Sequence, residues 1–377
     1  MRDGDGSGAD WAQLLGRSGT VKTMERFHSF HENKTIVVTG AGGSIGSALS
    51  LEIAHASPRL LVLLDACEHG LYQIENRITR DAGGCAPIRT VLCSVTDHAL
   101  LDDIFRLHRP DLIYHAAAHK HVPLMEANPF AAIRNNALGT YRLACAAREN
   151  LVTQVLMIST DKAANPSSMM GASKRIAELV LQSLSTVHTR MNSIRMGNVL
   201  GSQGSVVPRF LDQILGDGPV TVACPEVERF FWTMEETVSL IFEAAVSAQG
   251  GLVLVPETEE PVSILQLAKY LIQRNGGRRA AEIPIVFTGL RPGDKLRETF
   301  VATDERLAGR IGERLHRLHG VSLEEKKLTS LMAELDGATQ ARNLEELLMV
   351  VRQLVPHYTP SSFLLDLNAN SLVDQHA

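Results

Sequence analysis

The residues best placed to do chemistry begin with a run of glycines. Thr39-Gly40-Ala41-Gly42-Gly43-Ser44-Ile45-Gly46 follows the short apolar run Ile36–Val38 and opens a stretch with Ile45, Leu49 and Ile53 at helical spacing. Between a strand and a helix, Gly40 permits a tight turn, Gly43 lets the backbone approach a pyrophosphate, and Gly46 lets the helix pack closely on the strand. The free N–H groups and positive dipole end of that helix suit phosphates. The plainer reading is a glycine turn with no ligand; the flanking strand and helix favour a dinucleotide. Asp65 ends the next apolar strand, where a carboxylate accepts hydrogen bonds from adenosine ribose hydroxyls. It would repel a 2′-phosphate, and no arginine follows closely to offset it, so NAD is expected rather than NADP. His115, His119 and His121 form a cluster, but no carboxylate or cysteine stands beside them at a familiar zinc spacing. They are expected to line the cofactor pocket, and no metal is expected.

The elements that must position these residues alternate. Strand Leu60–Leu64 is followed by a helix over 69–80, a strand near 88–92, a helix over 97–108 and a strand over 111–115. A helix over 130–149, a strand over 152–158 and a helix over 171–187 continue the series. The alternation predicts an α/β fold, a Rossmann-type doubly wound parallel sheet with helices on both faces and a smaller C-terminal substrate-binding portion. The expected divisions are an N-terminal arm over 1–33, with a short helix around Trp11–Leu15, and a Rossmann domain over 34–195. A substrate portion over 196–320 and C-terminal helices with a polar tail over 321–377 complete the chain. Gly201, Gly204, Pro208, Gly216, Gly218, Pro219 and Pro225 crowd the start of the third part, as in loops over an active site. A helix over 234–247 is expected to return to the main sheet. Residues 251–300 read as a second, smaller α/β portion, and helices are expected near 322–336 and 342–354.

Composition narrows the classes. The chain has 377 residues, 45% apolar and 21% charged, with a net charge of −5, which gives no electrostatic case for nucleic acid. No apolar run is long enough to span a bilayer, and the acidic start, with Asp3, Asp5 and Asp10, does not read as a signal peptide. Five scattered cysteines, including Cys85, form no CxxC pair and suggest reduced thiols in a cytoplasmic setting.

Thr160-Asp161-Lys162 follows the strand that ends near Ile158, and Met170-Gly171-Ala172-Ser173-Lys174 opens the next helix. Together with the glycine turn, these residues resemble the extended short-chain dehydrogenase/reductase superfamily. There a Ser or Thr at a strand end cooperates with a Tyr-x-x-x-Lys pair whose spacing puts both side chains on one helix face. Here Met170 holds the tyrosine position, and a thioether cannot exchange a proton. One branch of the superfamily shows the same departure. The motifs His115-Ala-Ala-Ala-His-Lys-His-Val-Pro123, Asn135-Asn136, Ser159–Lys162, Met170–Lys174, Gly197-Asn-Val-Leu-Gly-Ser202, Gly204-Ser-Val-Val-Pro208 and Gly289-Leu-Arg-Pro-Gly293 resemble the polysaccharide-biosynthesis UDP-N-acetylglucosamine 4,6-dehydratases over residues 34 to 300. The resemblance is strongest to the catalytic half of the long, membrane-anchored forms, extends to Leu14-Leu-Gly-Arg17, and suggests a soluble, cytoplasmic version of that half without a membrane partner.

The resemblance implies a lyase that oxidises C4 of a UDP-sugar, eliminates water across C5 and C6, and returns the hydride to C6, with NAD resident throughout. It assigns Asp161 as acid at the C6 hydroxyl and Lys162 as base at C5. The C4 proton is left to Thr160, Asp161 or water. Lys174 is expected on the nicotinamide ribose. The cofactor is expected on Gly40, Gly43, Ser44, Ile45, Gly46, Asp65, Ser94, Val95, Ala116, Ala117 and Lys174, and the UDP-sugar on Lys120, Asn198, Val206, Arg229 and Arg291. Guanidinium groups meet a diphosphate bidentately, and Phe230 and Phe231 either pack on uracil or fill core. Burial by the bound ligands is expected to raise the Asp161 pKa and lower that of Lys162. Three departures stand out: Ser94 replaces an aspartate near the adenine, His119 a tyrosine, and Asp294 a glutamate. Relatives imply a homo-oligomer, a dimer or larger. The bland alternatives are a solvated Asp161–Lys162 pair and surface positions for Lys174 and the arginines. A 4-epimerase, a dehydratase acting across another bond, and a binding module that has lost catalysis are the competing functions.

Overall fold

The computed structural model describes residues 11–17, 24–81, 86–246 and 249–374. The first ten residues, with their aspartates, and Cys85 lie outside them. Nine strands form the main sheet: β1 (Thr35–Thr39), β2 (Leu60–Asp65), β3 (Ile88–Leu92), β4 (Leu112–His115), β5 (Gln154–Thr160), β6 (Arg190–Met196), β7 (Val253–Pro256), β8 (Arg306–Ile311) and β9 (Leu315–His319). Their spatial order is β8-β9-β7-β6-β5-β4-β1-β2-β3. The pairs from β3 to β7 are parallel and the last two are antiparallel. The order reverses between β1 and β4, so a crevice opens there beyond the strand ends, where doubly wound sheets bind ligands.

Helices cover both faces. On one lie α1 (Ser44–His55), α2 (Glu68–Asp81) and, from later in the chain, Met234–Ala245, which packs against the main sheet. On the other lie α3 (His98–His108), α4 (Val122–Ala127), α5 (Gly139–Glu149) and α6 (Met169–Leu184). The central strands β1 and β2 are buried along their length, which is why they read as continuous Val/Leu/Ile runs rather than alternating ones. Helix α6 is buried on nearly every side, with 14 of its residues in the interior. The helices α7 (Glu325–Ala341) and α8 (Leu344–Leu354) pack over it, so its apolar character extends beyond the stripe a surface helix needs.

Three expectations change. The stretch 130–149 is not one regular helix: Pro129–Ala132 and α5 flank a π-helical segment, Ile133–Leu138. The segment 251–300 does not stand apart, because β7 joins the main sheet beside β6, and β8 and β9 extend that sheet from within 196–320. A smaller core does exist, built from Val206–Leu215, Val220–Val222, Ile264–Asn275 and Ile285–Phe287. The tail carries a further helix, Ser362–Asp374. At the other end, the helix Trp11–Leu15 is present, and Arg17 is anchored by Glu236 at 3.2 Å and by the Phe231 carbonyl at 2.9 Å.

Candidate active site

The glycine turn lies at the switch point. Gly40 has φ +66°, and a Cβ there would stand 2.7 Å from the Ala117 nitrogen, so the turn and the segment Ala116–Ala117 after β4 touch backbone to backbone. A Cβ on Gly46 would stand 2.0 Å from the Gly40 carbonyl oxygen, which is the close helix-on-strand packing that the motif predicts. Gly42 has its own requirement, missed in the sequence: its missing side chain makes room for Gly70 of α2. Gly43 caps α1, with Ser44 and Ile45 in the first turn.

Asp65 is already engaged. Its carboxylate accepts the Gly42 N–H at 2.8 Å through one oxygen and the Cys67 N–H at 2.8 Å through the other. Each carboxylate oxygen has two lone pairs, so ribose hydroxyls can still be accommodated. Ser94 follows β3 and shares hydrogen bonds with Thr96, and Val95 is buried against Gly139. His115 is fully buried with both ring nitrogens occupied, by the hydroxyls of Thr39 at 2.7 Å and Thr140 at 2.9 Å. Burial, aided by Lys174, lowers its pKa to about 3, so it is neutral. Among the described residues no group of three or more His, Cys, Asp or Glu is placed to hold a metal ion.

At the end of β5, Asp161–Ala163 forms a single 3-10 turn. Asp161 is fully buried, and its Oδ1 accepts hydrogen bonds from the Thr160 hydroxyl and from Lys162 Nζ, both at 2.9 Å. Its Oδ2 is buried without a partner. Burial pulls the Lys162 amine down, but the Asp161 and Glu298 carboxylates outweigh it and its pKa is raised. Lys162 also donates to Asn198 Oδ1 at 3.3 Å, which joins the triplet to the segment that follows β6.

Helix α6 starts beside this turn. Ser168 caps it by accepting the Gly171 N–H, and a Cβ on Gly171 would stand 2.3 Å from the Lys162 carbonyl oxygen. Met170 is buried, and its carbonyl accepts the Ser173 hydroxyl. Lys174 is buried, and its amine forms no hydrogen bond among the described residues; burial, opposed by Glu178, lowers its pKa to about 8. The π-helical segment aims Asn136 at this helix: its side chain bonds the His119 N–H and carbonyl and the Ser173 hydroxyl. Asn135-Asn136 was visible in the sequence, but its link to His119 depends on the local widening.

The expected substrate residues divide. Lys120 is exposed and donates to the Gln203 carbonyl at 2.6 Å, while the Gln203 N–H donates to Ser44 Oγ at 3.0 Å, so loop 200–205 bridges the glycine turn and the histidine run. Val206 begins the helix after that loop. Arg291 is exposed and pairs with Asp294 at 2.9 Å. Arg229 is not a free cation: it is buried, and its guanidinium donates to the carbonyls of Glu228, Lys295 and Leu296. Phe231 is core, and Phe230 packs on Phe300. Glu298, buried and paired with Lys295 at 3.0 Å, was missed; no periodicity marks a lone acid that faces a lysine far back in the chain. Arg209, exposed beside Arg291, was missed as well.

The close backbone approach at Gly40, the open helix start and Lys174, a buried residue whose amine forms no hydrogen bond among the described residues, fit a nicotinamide dinucleotide. The sheet order and this site define an extended short-chain dehydrogenase/reductase. More narrowly, a family of polysaccharide biosynthesis proteins matches residues 36–319, and the chain belongs to that family. It is 44% identical over 306 residues to the capsular polysaccharide biosynthesis protein CapD of Staphylococcus aureus, covering 81% of this chain and 51% of that protein. It thus spans about half the length of such relatives. It is 31% identical to a UDP-glucose 4-epimerase of Rickettsia typhi, over 72% of this chain and 79% of the relative. The structure of Pen from Bacillus thuringiensis is similar, with a TM-score of 0.71 and 25% identity, covering 81% of this chain and 98% of the other. Among the described residues, no helix is long and apolar enough to cross a membrane.

Proposed function

We propose that the chain catalyses NAD-dependent 4,6-dehydration of UDP-N-acetylglucosamine or a close nucleotide sugar to the 4-keto-6-deoxy sugar. One observation carries the reading: a buried Asp161 oxygen shared by Thr160 and Lys162 lies beside a helix whose tyrosine position is the inert Met170. A simple hydride transfer needs one proton-exchanging group at the carbinol, whereas elimination also needs an acid and a base. The Asp161–Lys162 pair can supply both.

NAD, when bound, would take hydride from C4 and return it at C6. The start of α1 would hold its pyrophosphate, and Lys174 its nicotinamide ribose. Asp65 would meet the adenosine ribose and disfavour a 2′-phosphate. Lys120, Asn198, Val206 and Arg291 would orient the nucleotide sugar; Arg229 would act by fixing the backbone of Lys295 and Leu296 beneath it. In the ligand-free site Asp161 and Lys162 form an ion pair. Moving one proton from Nζ to the carboxylate across 2.9 Å gives a neutral acid for the C6 hydroxyl and a neutral base for C5, with no net proton exchanged.

The test is incubation with UDP-N-acetylglucosamine in heavy water. Loss of one water with solvent deuterium at C5 is expected. An isomer of unchanged mass would overturn the reading in favour of 4-epimerisation, the second reading that the UDP-glucose 4-epimerase relative supports. Mass spectrometry of the nucleotide released on denaturation, with titration of both cofactors, tests NAD against NADP.

A further inference from the structure

The catalytic segment is tied to the helix behind it by a buried ionic cluster that the reaction above does not use. Glu178 lies one turn beyond Lys174 on α6 and is fully buried. Its Oε1 accepts the hydroxyl proton of Ser159, the residue before Thr160, at 2.6 Å. The carboxylate also accepts Nε and Nη2 of Arg195 from β6, at 2.9 and 2.7 Å, and Nη1 of Arg175 at 3.0 Å. Glu305 accepts from Arg195 at 2.6 and 2.9 Å and lies 3.1 Å from Arg175. Two carboxylates and two guanidinium groups balance in charge. Well-packed apolar side chains often replace such a cluster without loss of stability, so stability alone is a weak account of it. Its geometry shows a specific link: Glu178 touches the strand that ends in Thr160 and belongs to the helix that carries Met170 and Lys174.

We propose that Glu178 is a positioning residue that locks the end of β5, and with it Thr160, Asp161 and Lys162, to the helix bearing Met170 and Lys174. For turnover, this rests on the dehydratase reading; for cofactor binding it does not. The charged or titratable groups that act on Lys174 are Glu178 and the neutral His115, so Glu178 is the anion that opposes the desolvation of the Lys174 amine.

Three single variants of the full chain test it. Ser159→Ala removes the link and leaves the ionic cluster intact. Glu178→Gln removes one carboxylate of the cluster, and Glu305→Gln removes the other, which touches neither Ser159 nor Lys174. Ser159→Ala and Glu178→Gln are expected to lower kcat at least about tenfold with KM changed less than about threefold. Glu305→Gln is expected to lose as much thermal stability as Glu178→Gln while keeping kcat within about threefold. NAD binding, followed by tryptophan fluorescence across pH, should show its Lys174 inflection about one unit lower in Glu178→Gln and unmoved in Ser159→Ala. A kcat loss that follows Tm across all three variants, or a Ser159→Ala enzyme equal to the parent, would overturn the inference. If the parent does not dehydrate the sugar, the reaction reading fails, and an unmoved NAD-binding inflection in Glu178→Gln overturns this inference separately.

Discussion

Gly171→Ala probes the contact between the two halves of the site. The new Cβ would stand 2.3 Å from the Lys162 carbonyl oxygen and 3.2 Å from Pro166 Cβ, where ordinary contact begins at 3.4 Å. About 1 Å must be found, and α6 cannot supply it, because the sheet and the C-terminal helices hold it on all sides. The Asp161–Ala163 turn must move instead, and it carries the proposed acid and base. A misplacement of about 1 Å costs about 100-fold in rate, or about 2.7 kcal/mol of barrier. The glycine turn is untouched, so bound NAD should be retained. Alanine's better helix propensity, about 1 kcal/mol, offsets part of the strain, so the fold should survive. Steady-state turnover, Tm and the nucleotide released on denaturation are the measurements. A variant with kcat within threefold of the parent would refute the claim that this contact sets the position of the triplet.

Other perturbations separate site from scaffold. Arg291→Ala should raise KM for the nucleotide sugar about tenfold or more with little change in Tm, since the Arg291 guanidinium is exposed; an unchanged KM would remove Arg291 from the site. Gly337→Ala, in the exposed interior of α7 with no atom within 4 Å of the new Cβ, should stabilise the chain by about 0.5–1 kcal/mol in urea denaturation with unchanged turnover. His31 is fully buried between the Phe27 carbonyl and the Tyr114 hydroxyl, and burial, the largest cause, lowers its pKa from 6.5 to about 4. The unfolded chain therefore binds the proton first, so this contribution is present above pH 6.5 and is lost as pH falls from 6.5 toward 4. Its slope is about 1.4 kcal/mol per unit. His31→Gln should flatten the pH dependence of urea stability in that window by about one proton, and an unchanged slope would refute the assignment.

The sheet was legible where burial makes sequence monotonous. Strands such as β1 and β2 are runs of Val, Leu and Ile, and the glycine turn between β1 and α1 has a steric cause at each of Gly40 and Gly46. The edge strand β8 and its neighbour β9 were not legible: Arg306, Arg310, His316 and Arg317 face solvent at least in part, and an antiparallel edge tolerates such residues. The interruption at Ile133–Leu138 escaped because π-helical widening leaves the apolar period nearly intact. In the site, Thr160–Lys162 and Lys174 stood out as a motif. Glu178, Arg195 and Glu305 did not, because charged residues are assigned to the surface by default and only tertiary pairing brings them inside. Arg229 illustrates the converse, since a cation expected at a phosphate spends its donors on three carbonyls.

The Asp161–Lys162 pair sets a requirement on the substrate. In water the ordinary pKa values of lysine and aspartate differ by about 6.5 units, so neutralising the pair by internal proton transfer costs about 9 kcal/mol. A turnover of about 10 per second corresponds to a barrier of about 16 kcal/mol, which leaves about 7 for the C5–H step. That is too little for most carbon acids, even one beside a ketone, so the gap must narrow before elimination. Desolvation narrows it from both ends, because it disfavours the carboxylate and the ammonium together. Asp161 is already fully buried and its Oδ2 lacks a partner, whereas Lys162 keeps a partly exposed side chain and a raised pKa. The group still to be buried is therefore the lysine. A sugar lying over Lys162 would supply that burial, and its C6 hydroxyl could occupy the unpartnered Asp161 oxygen. On the dehydratase reading the ion pair is the resting form, and the sugar itself would convert it into the acid and base that elimination needs.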